Sequence, residues 1–359
     1  MFNFRTLVPA LLVSLSLSIA GSPARAATAP LKGIIADLGI WNDYKTRFVR
    51  KNGRVVDNAN KNISHSEGQG FAMVMAVAAN DPILFDQIWS FTRQHMMVRK
   101  DNLIAWRWSP RGFSRVTDKN NATDGDILVA WALLEAAESG FGAQYRHHAK
   151  KIIRDLAPLA KKDPTLGWWL RPGAKGFSSF EHKGREIINL SYWVFPALER
   201  IGELTGGKLW PALENSGERM LARAADNKAG LPADWNAFKR GSGKVGLARK
   251  FGTKFSYNAI RVPLYLAWSG EDRSAFLAPM QANWVNRGRS LSQIDVRRNT
   301  VKGRFADRGY HAVAAVVNCS LSGTRFPEPL RGNLDKLYYP ASLHILSIIA
   351  TKQRYPQCW

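Results

Sequence analysis

The chain has 359 residues, of which 51 are Lys or Arg, 28 are Asp or Glu and only two are Cys. A hydrophobic fraction of 45% and a charged fraction of 22% are typical of a folded globular protein, so wholesale disorder is excluded. Two cysteines are too few for a disulfide-scaffolded fold or a cysteine-rich zinc site. A formal charge of +23 with 13 Trp, 17 Phe and 9 Tyr leaves three classes of partner open: nucleic acid, an anionic membrane surface, and a sugar polymer that stacks on aromatic rings.

Residues 1–26 are typical of an export signal. Arg5 provides a positive start, residues 7–20 form an apolar run, and a small-x-small cleavage site ends at Ala26. The apolar run is shorter than the ~20 residues that a membrane-spanning helix needs. We therefore expect cleavage near Ala26, a periplasmic or secreted protein, and no stable insertion in a membrane. A location outside the cytoplasm disfavours nucleic acid as the partner.

The two cysteines, Cys319 and Cys358, lie in the last part of the chain. Cysteines at this separation can pair in an oxidising compartment, where disulfides persist. Spacing alone does not show that their Cβ atoms meet, so the sequence leaves the pairing open.

Apolar residues recur at helical spacing along most of the chain after residue 26, and Gly or Asp-Pro punctuates the runs. Asp81 is a natural N-cap for a helix with Pro82 in its first turn, and Thr123 is predicted to cap another. The predicted helical segments are 66–79, a run from Pro82 through Phe91, 123–140, 143–160, 186–204, 210–225, 257–268, 273–287, 309–319 and 340–352. Strand-like alternation is scarce outside residues 103–108. The pairing of the runs predicts one all-α domain over residues 27–359, built from about six helical hairpins whose ends line a concave face.

Carboxylates at two helix starts are the best catalytic candidates. Glu67 directly precedes two closely spaced glycines in the segment 66–70 (SEGQG), and Asp124 and Asp126 flank a glycine in the segment 122–126 (ATDGD). An acid in a first turn is ordinarily a capping residue that gains from the helix dipole. Glycines weaken that explanation here because they destabilise a helix and usually mark a close approach of backbone or ligand. Asp124 and Asp126 are expected to point to different sides of the turn.

Aromatic side chains in loops are candidates for stacking on pyranose rings, although most Trp in a helical bundle belong to the core. Trp106 and Trp108 are expected to share one face of a short extended stretch. Basic stretches at 146–154, 239–254 and 297–304 are interpreted as solvated faces. The sequence has no His-x-x-x-His, calcium-type acidic loop, phosphate-binding Gly-rich loop or Gly-x-Ser-x-Gly elbow, so no metal or cofactor is predicted.

Several ordered segments resemble the glycoside hydrolases of family 8. These segments are 66–73 (SEGQGFAM), 122–134 (ATDGDILVAWALL), 190–193 (LSYW), 231–235 (LPADW), 255–264 (FSYNAIRVPL) and 338–343 (YYPASL). The resemblance covers nearly all of the chain after the leader, and is strongest to the periplasmic endoglucanases that accompany bacterial cellulose synthases. Two signature positions depart from the family pattern: Val129 replaces the usual Ile or Met, and Gly140 the usual Phe or Trp.

The resemblance implies an (α/α)6 barrel that hydrolyses β-1,4-glucan with inversion at the anomeric carbon and without a cofactor. It implies that Glu67 is the general acid and that Asp124 is a second active-site acid near the distorted sugar ring. Asn258 stands where several family members have an Asp proposed as the general base. The base is therefore left open among Asp124, Asp126 and Asp234.

The family segments also supply candidate substrate-binding residues and a partner. The candidates are Trp106, Trp108, Tyr192, Trp235, Tyr257 and Arg261. The expected partner is a β-1,4-glucan, handled by a monomer with a functional association with a cellulose synthase complex.

Three alternatives to an endoglucanase remain at this point. The first is a chitosanase or another β-1,4-glycanase of the family, although a strongly basic protein would repel the polycation chitosan. The second is a non-catalytic glycan-binding component of a cellulose-export apparatus, suggested by Asn258 and the aromatic residues. The third is binding to nucleic acid or a membrane surface, which predicts a steep dependence on salt.

Overall fold

A computed structural model describes residues 30–36, 39–269, 272–285 and 291–359. The predicted export signal at 1–26 lies outside the described residues. Eleven α-helices dominate these ranges. They are α1 (Ile40–Phe48), α2 (Ser66–Ala78), α3 (Pro82–His95), α4 (Thr123–Glu138), α5 (Gln144–Leu156), α6 (Phe195–Thr205), α7 (Leu209–Ala225), α8 (Arg261–Trp268), α9 (Ser274–Met280), α10 (Arg308–Ser322) and α11 (Tyr338–Arg354).

Short antiparallel strands occupy the connections that lead into the helices α2, α4, α6, α8 and α10. Within the described ranges they are β1 (Ser64–His65), β2 (Arg107–Trp108), β3 (Ala160–Asp163), β4 (Gly167–Leu170), β5 (Glu186–Ile188), β6 (Asn236–Phe238), β7 (Val245–Leu247), β8 (Lys254–Phe255), β9 (Ser292–Asp295) and β10 (Thr300–Arg304). They form the sheets β1-β2, β3-β4, β5-β6-β7 and β8-β9-β10. In the β5-β6 pair, Glu186 lies opposite Phe238.

Six helices form a closed inner ring. Each helix of the ring packs against the next, in the order α2, α4, α6, α8, α10 and α11, and α11 packs against α2 to close the ring. The helices α1, α3, α5, α7 and α9 pack outside this ring. The first turns of α2, α4 and α8 touch through Glu67, Asp124 and Arg261, and Gly309 of α10 abuts Pro340 of α11. The inner helices therefore run in the same direction, with their N-termini at one end. The predicted (α/α)6 barrel is confirmed.

The inner helices are apolar almost all round, as buried helices must be. In α4, every residue from Thr123 to Ala136 is buried, and in α2 only Glu67 is partly exposed. No described helix is long and apolar enough to cross a membrane.

Some predicted helix boundaries are confirmed and others are wrong. Asp81 caps α3 as predicted, because its side chain accepts a hydrogen bond from the backbone N–H of Leu84. The predicted cap at Thr123 is wrong: this residue is the first of α4, and its hydroxyl donates to the carbonyl oxygen of Arg171 at 2.7 Å. Helix α1 was not predicted.

Proline explains two of the errors. The predicted helix 186–204 starts only at Phe195, because Pro196 suits a first helical turn and not a helix interior. Residues before it form β5 and a 3-10 turn. The predicted helix 143–160 ends at Leu156, where a 3-10 turn containing Pro158 begins.

Two predicted helices in the C-terminal half of the chain are shorter than expected. The helix predicted at 257–268 begins at Arg261. The helix predicted at 273–287 comprises α9 and a π-helical stretch, Gln281–Val285. Its last two residues lie outside the described residues.

The two cysteines form a disulfide. Cys319 of α10 is bonded to Cys358, and their Cα atoms are 6.2 Å apart. The bond ties the segment after α11 to α10 and answers the question that spacing alone left open.

Glycine allows α2 and α4 to approach at the acid-bearing end. A Cβ atom on Gly125 would lie 2.2 Å from Oγ of Ser66 and 2.8 Å from the backbone nitrogen of Glu67. One turn further, a Cβ atom on Gly70 would lie 2.6 Å from Cβ of Leu128. Gly125 and Gly70 therefore mark a close approach of α2 and α4.

Replacing Gly125 with Ala should force α2 away from α4. We expect Gly125→Ala to lower the free energy of unfolding by about 2 kcal/mol, measured by urea denaturation, because overpacking displaces backbone. Gly332→Ala is the control, since a Cβ atom there meets nothing within 4 Å. Equal stability of the two variants would contradict the close approach of α2 and α4 at Gly125.

Candidate active site

The side chain of Arg261 joins four elements at the N-terminal end of the barrel. It lies in the first turn of α8 and is only 2% exposed. Its Nη1 donates to Oε1 of Glu67 and, at 2.9 Å, to Oδ2 of Asp124. Its Nη2 donates to Oγ of Ser191 at 2.8 Å and to Oδ1 of Asn258 at 2.9 Å. One guanidinium thus fixes α2, α4, the turn before α6 and the segment before α8.

The two carboxylates differ in their surroundings. Asp124 is buried, whereas the side chain of Glu67 remains 20% exposed and is accessible to a ligand. Burial raises the pKa of Asp124 to about 7, although the backbone N–H of Gly125 donates to its Oδ1 and opposes the shift. Helix N-termini add positive potential that favours both carboxylates at this end of the barrel.

Hydrogen bonds among polar side chains hold two partners of Arg261, Ser191 and Asn258, in place. Oγ of Ser191 donates to Oδ1 of Asn189 at 2.7 Å, and Nδ2 of Asn189 donates to Oδ1 of Asn258 at 3.3 Å. The side-chain oxygen of Asn258 therefore accepts hydrogen bonds from both Asn189 and Arg261. Since an amide has little basicity, Asn258 can orient a water molecule but cannot accept its proton.

Asp234 anchors the segment that carries Asn258. Its Oδ1 accepts hydrogen bonds from the backbone N–H groups of Ser256, Asn258 and Ala259 at 2.9, 3.1 and 2.8 Å. The side chain is only partly buried, and that burial raises its pKa to about 6 against the opposing backbone hydrogen bonds.

Asp126 points away from Arg261. It is fully buried, with Oδ1 accepting from the backbone N–H of Ile104 at 2.8 Å and Oδ2 from Nδ2 of Asn121 at 2.7 Å. Burial raises its pKa to about 8. Both oxygens have protein donors, so Asp126 holds the connection between α3 and α4 in place rather than contacting a substrate.

The two candidate substrate-binding residues Trp106 and Trp108 have different surroundings. Trp106 is partly exposed and donates from Nε1 to Asp118 at 2.8 Å. Trp108 packs edge-on against Phe91, and the guanidinium of Arg54 lies 4.9 Å from its ring. Only Arg107 and Trp108 belong to β2, so the predicted extended stretch is shorter than expected.

Two other predicted residues, Tyr192 and Trp235, lie in succession beside Arg261, and a third, Tyr257, is exposed. The Tyr192 ring lies 5.9 Å from its guanidinium carbon, and the Trp235 ring is 6.1 Å from that of Tyr192. Trp235 stacks on Phe177 with ring centroids 5.5 Å apart. Tyr257 is 51% exposed and available for stacking.

The sequence does not reveal every residue of this site. Ser191 belongs to the family segment 190–193, but the helix predicted at 186–204 gives no indication of its contact with Arg261. Asn189, immediately before that segment, gave no signal of its own. Tyr339 belongs to the family segment 338–343 but is not among the candidate site residues, yet its hydroxyl donates to the carbonyl oxygen of Tyr257. Within the described ranges, no group of three His, Cys, Asp or Glu residues could hold a metal ion.

Comparison with known proteins assigns the chain to a family. The sequence model of the family described as "Glycosyl hydrolases family 8" matches residues 11–353. The chain belongs to glycosyl hydrolase family 8. This membership confirms the resemblance drawn from the sequence and, with it, the prediction of a glycoside hydrolase.

Relatives with solved structures or curated sequences agree with this assignment. The chain is 38% identical to an endoglucanase of Cellulomonas uda over 73% of its own length and 72% of the relative's. A probable endoglucanase of Novacetimonas hansenii is 34% identical over 86% of this chain and 89% of the relative. The structure of the endo-β-1,4-glucanase CMCax from Acetobacter xylinum superposes with a TM-score of 0.80 at 34% identity, covering 90% of this chain and 99% of that one.

The raised pKa of Asp234 makes the stability of this family 8 hydrolase depend on pH. Its pKa rises from 3.8 in the reference state to about 6 in the fold, so between these values the folded chain retains a proton that the unfolded chain has released. The contribution of Asp234 to folding stability therefore falls as the pH rises from about 4 to about 6.

The variant Asp234→Asn should not show this loss, because its side-chain oxygen can still accept the three backbone hydrogen bonds but does not titrate. We expect the variant to gain on the order of 2 kcal/mol of unfolding free energy relative to the native protein between pH 4 and pH 7, measured by urea denaturation. A difference that stays constant with pH would contradict the raised pKa.

Proposed function

We propose that this family 8 glycoside hydrolase is an endo-β-1,4-glucanase that cleaves β-1,4-glucan with inversion. The observation that carries the proposal is the partly exposed carboxyl of Glu67 beside the buried pair of Arg261 and Asp124. The positive net charge disfavours chitosan and leaves a neutral glucan as the preferred substrate.

Glu67 acts as the general acid that protonates the leaving glycosidic oxygen. Asp124 contacts the same nitrogen of Arg261, so the two carboxyl groups are closer than the ~6.5–9.5 Å that separates an inverting acid from its base. Asp124 therefore lies on the side of the acid, where its ionised form, which prevails above its pKa of about 7, stabilises the positive anomeric carbon of the transition state.

Asp234 is the proposed general base. Of the three acids left open by the sequence, Asp126 has both oxygens occupied and Asp124 lies beside the acid. Asp234 is partly exposed and hydrogen-bonds to the backbone of Asn258, whose amide can orient the attacking water. A pKa of about 6 leaves Asp234 ionised above pH 6 and able to accept a proton near neutrality.

The proposed place of action is the periplasm or the cell exterior. The leader-like residues 1–26 and the bond between Cys319 and Cys358 support export, since disulfides persist in oxidising compartments. There the enzyme would trim glucan in functional association with a cellulose synthase complex, which the family segments suggest.

Removal of either proposed catalytic carboxyl should abolish activity without unfolding the protein. We expect Glu67→Gln and Asp234→Asn each to lower kcat on hydroxyethylcellulose, a neutral soluble glucan, by at least ~100-fold, measured as reducing ends released. Asp43→Asn, a partly exposed acid on the outer helix α1, is the control and should keep full activity.

The two variants test separate claims. Absence of hydrolysis by the native protein, with Glu67→Gln equally inert, would refute the endoglucanase. An inactive Glu67→Gln beside a fully active Asp234→Asn would leave the endoglucanase standing and overturn only the assignment of the base.

A further inference from the structure

A cavity lies apart from the residues that contact Arg261. It has a volume of about 490 Å³, within the range of small-ligand sites. It is lined by the loop before β5, by the strands β5, β6 and β7, and by the turn that follows β7. Its lining comprises His182, Lys183, Arg185, Ile187, Ala237, Gly246, Leu247, Ala248, Arg249, Lys250 and Phe251. We call this cavity the basic pocket.

Positive charge surrounds the basic pocket. Lys183, Arg185, Arg249 and Lys250 are exposed, and no ion pair to any of them is found in the described part of the chain. No acidic residue belongs to the lining. The nearby Glu181 is engaged with its own loop, since its carboxylate accepts from the backbone of Gly176 and Ser178 and from the hydroxyl of Ser178. Four cations without a carboxylate partner attract an anion.

The floor of the basic pocket is apolar. Ile187, Ala237 and Ala248 are buried and form a small hydrophobic cluster of their own, against which Phe251 packs. An apolar floor with charged groups at the edge fits a ligand that has both an apolar face and an anionic group. A carboxylate-bearing sugar ring has both, because its C–H face is apolar and its carboxylate projects from the edge.

An aromatic contact chain connects the basic pocket to the candidate active site. The ring of Phe251 lies 5.1 Å from that of Trp235, which in turn lies 6.1 Å from Tyr192 beside Arg261. A polymer held in the basic pocket would therefore lie next to Tyr192 and Trp235, the aromatic side of the partly exposed site around Glu67 that we call the glucan cleft.

We propose that the basic pocket binds a carboxylate-bearing segment of an acidic polysaccharide. This site is separate from the glucan cleft and takes a different chemical class of glycan. It holds the enzyme on an anionic matrix while the cleft acts on neutral β-1,4-glucan. Its cations account for part of the positive charge that the glucanase activity leaves unexplained.

The probe for this proposal is trigalacturonate, titrated calorimetrically into the full chain at low salt. The triple variant Lys183→Gln, Arg249→Gln, Lys250→Gln should bind it at least ~10-fold more weakly than the native protein, because three cations are lost at one pocket. The matched control Arg50→Gln, Lys51→Gln, Lys61→Gln removes the same charge from an exposed region elsewhere and should change the affinity less than ~2-fold.

Activity on hydroxyethylcellulose shows that both triple variants are folded, and it should be unchanged because neither set lies in the catalytic machinery. Equal loss of affinity in the two triple variants would overturn the proposal, since binding would then follow net charge. Binding of the native protein to phosphatidylglycerol vesicles but not to trigalacturonate would also overturn it, and would assign the cations to a membrane surface.

Discussion

The N-terminal end of the barrel depends on the contacts that the buried guanidinium of Arg261 makes. A charged group out of water is costly, and this one is balanced by Glu67 and Asp124 and by hydrogen bonds to Ser191 and Asn258. Removing one partner of such a set leaves a buried charge uncompensated, which typically costs about 3–5 kcal/mol. The carboxyl groups of Glu67 and Asp124 and the amide of Asn258 are therefore fixed relative to one another by a single side chain.

The barrel brings these groups together because its inner helices share one direction. Their N-termini meet at one end, where the helix dipoles favour carboxylates. Close approach at Gly125 places the first turns of α2 and α4 in contact. The acids thus occupy positions where an ordinary capping role and a catalytic role are both compatible with the fold.

Much of this fold follows from local sequence, and the rest does not. Helices α2 and α4 were predicted because their apolar spacing, glycines and acids are local signals. The strand β5 was mistaken for helix because its partner β6 lies far along the chain, with Glu186 opposite Phe238. The contacts of Arg261 with both carboxylates could not be predicted from local sequence either, because Glu67 and Asp124 precede it by 194 and 137 residues. The resemblance to family 8 marked Arg261 only as a substrate contact.

The most direct test of this account is kcat of Arg261→Lys on hydroxyethylcellulose, normalised to the folded fraction measured by circular dichroism. Lysine keeps the positive charge but has a single nitrogen, so it cannot reach both carboxylates and also Ser191 and Asn258. The account predicts a kcat at least ~100-fold lower than that of the native protein, because the acid loses its fixed position. A folded variant with kcat within about threefold of the native value would show that the guanidinium does not organise the site.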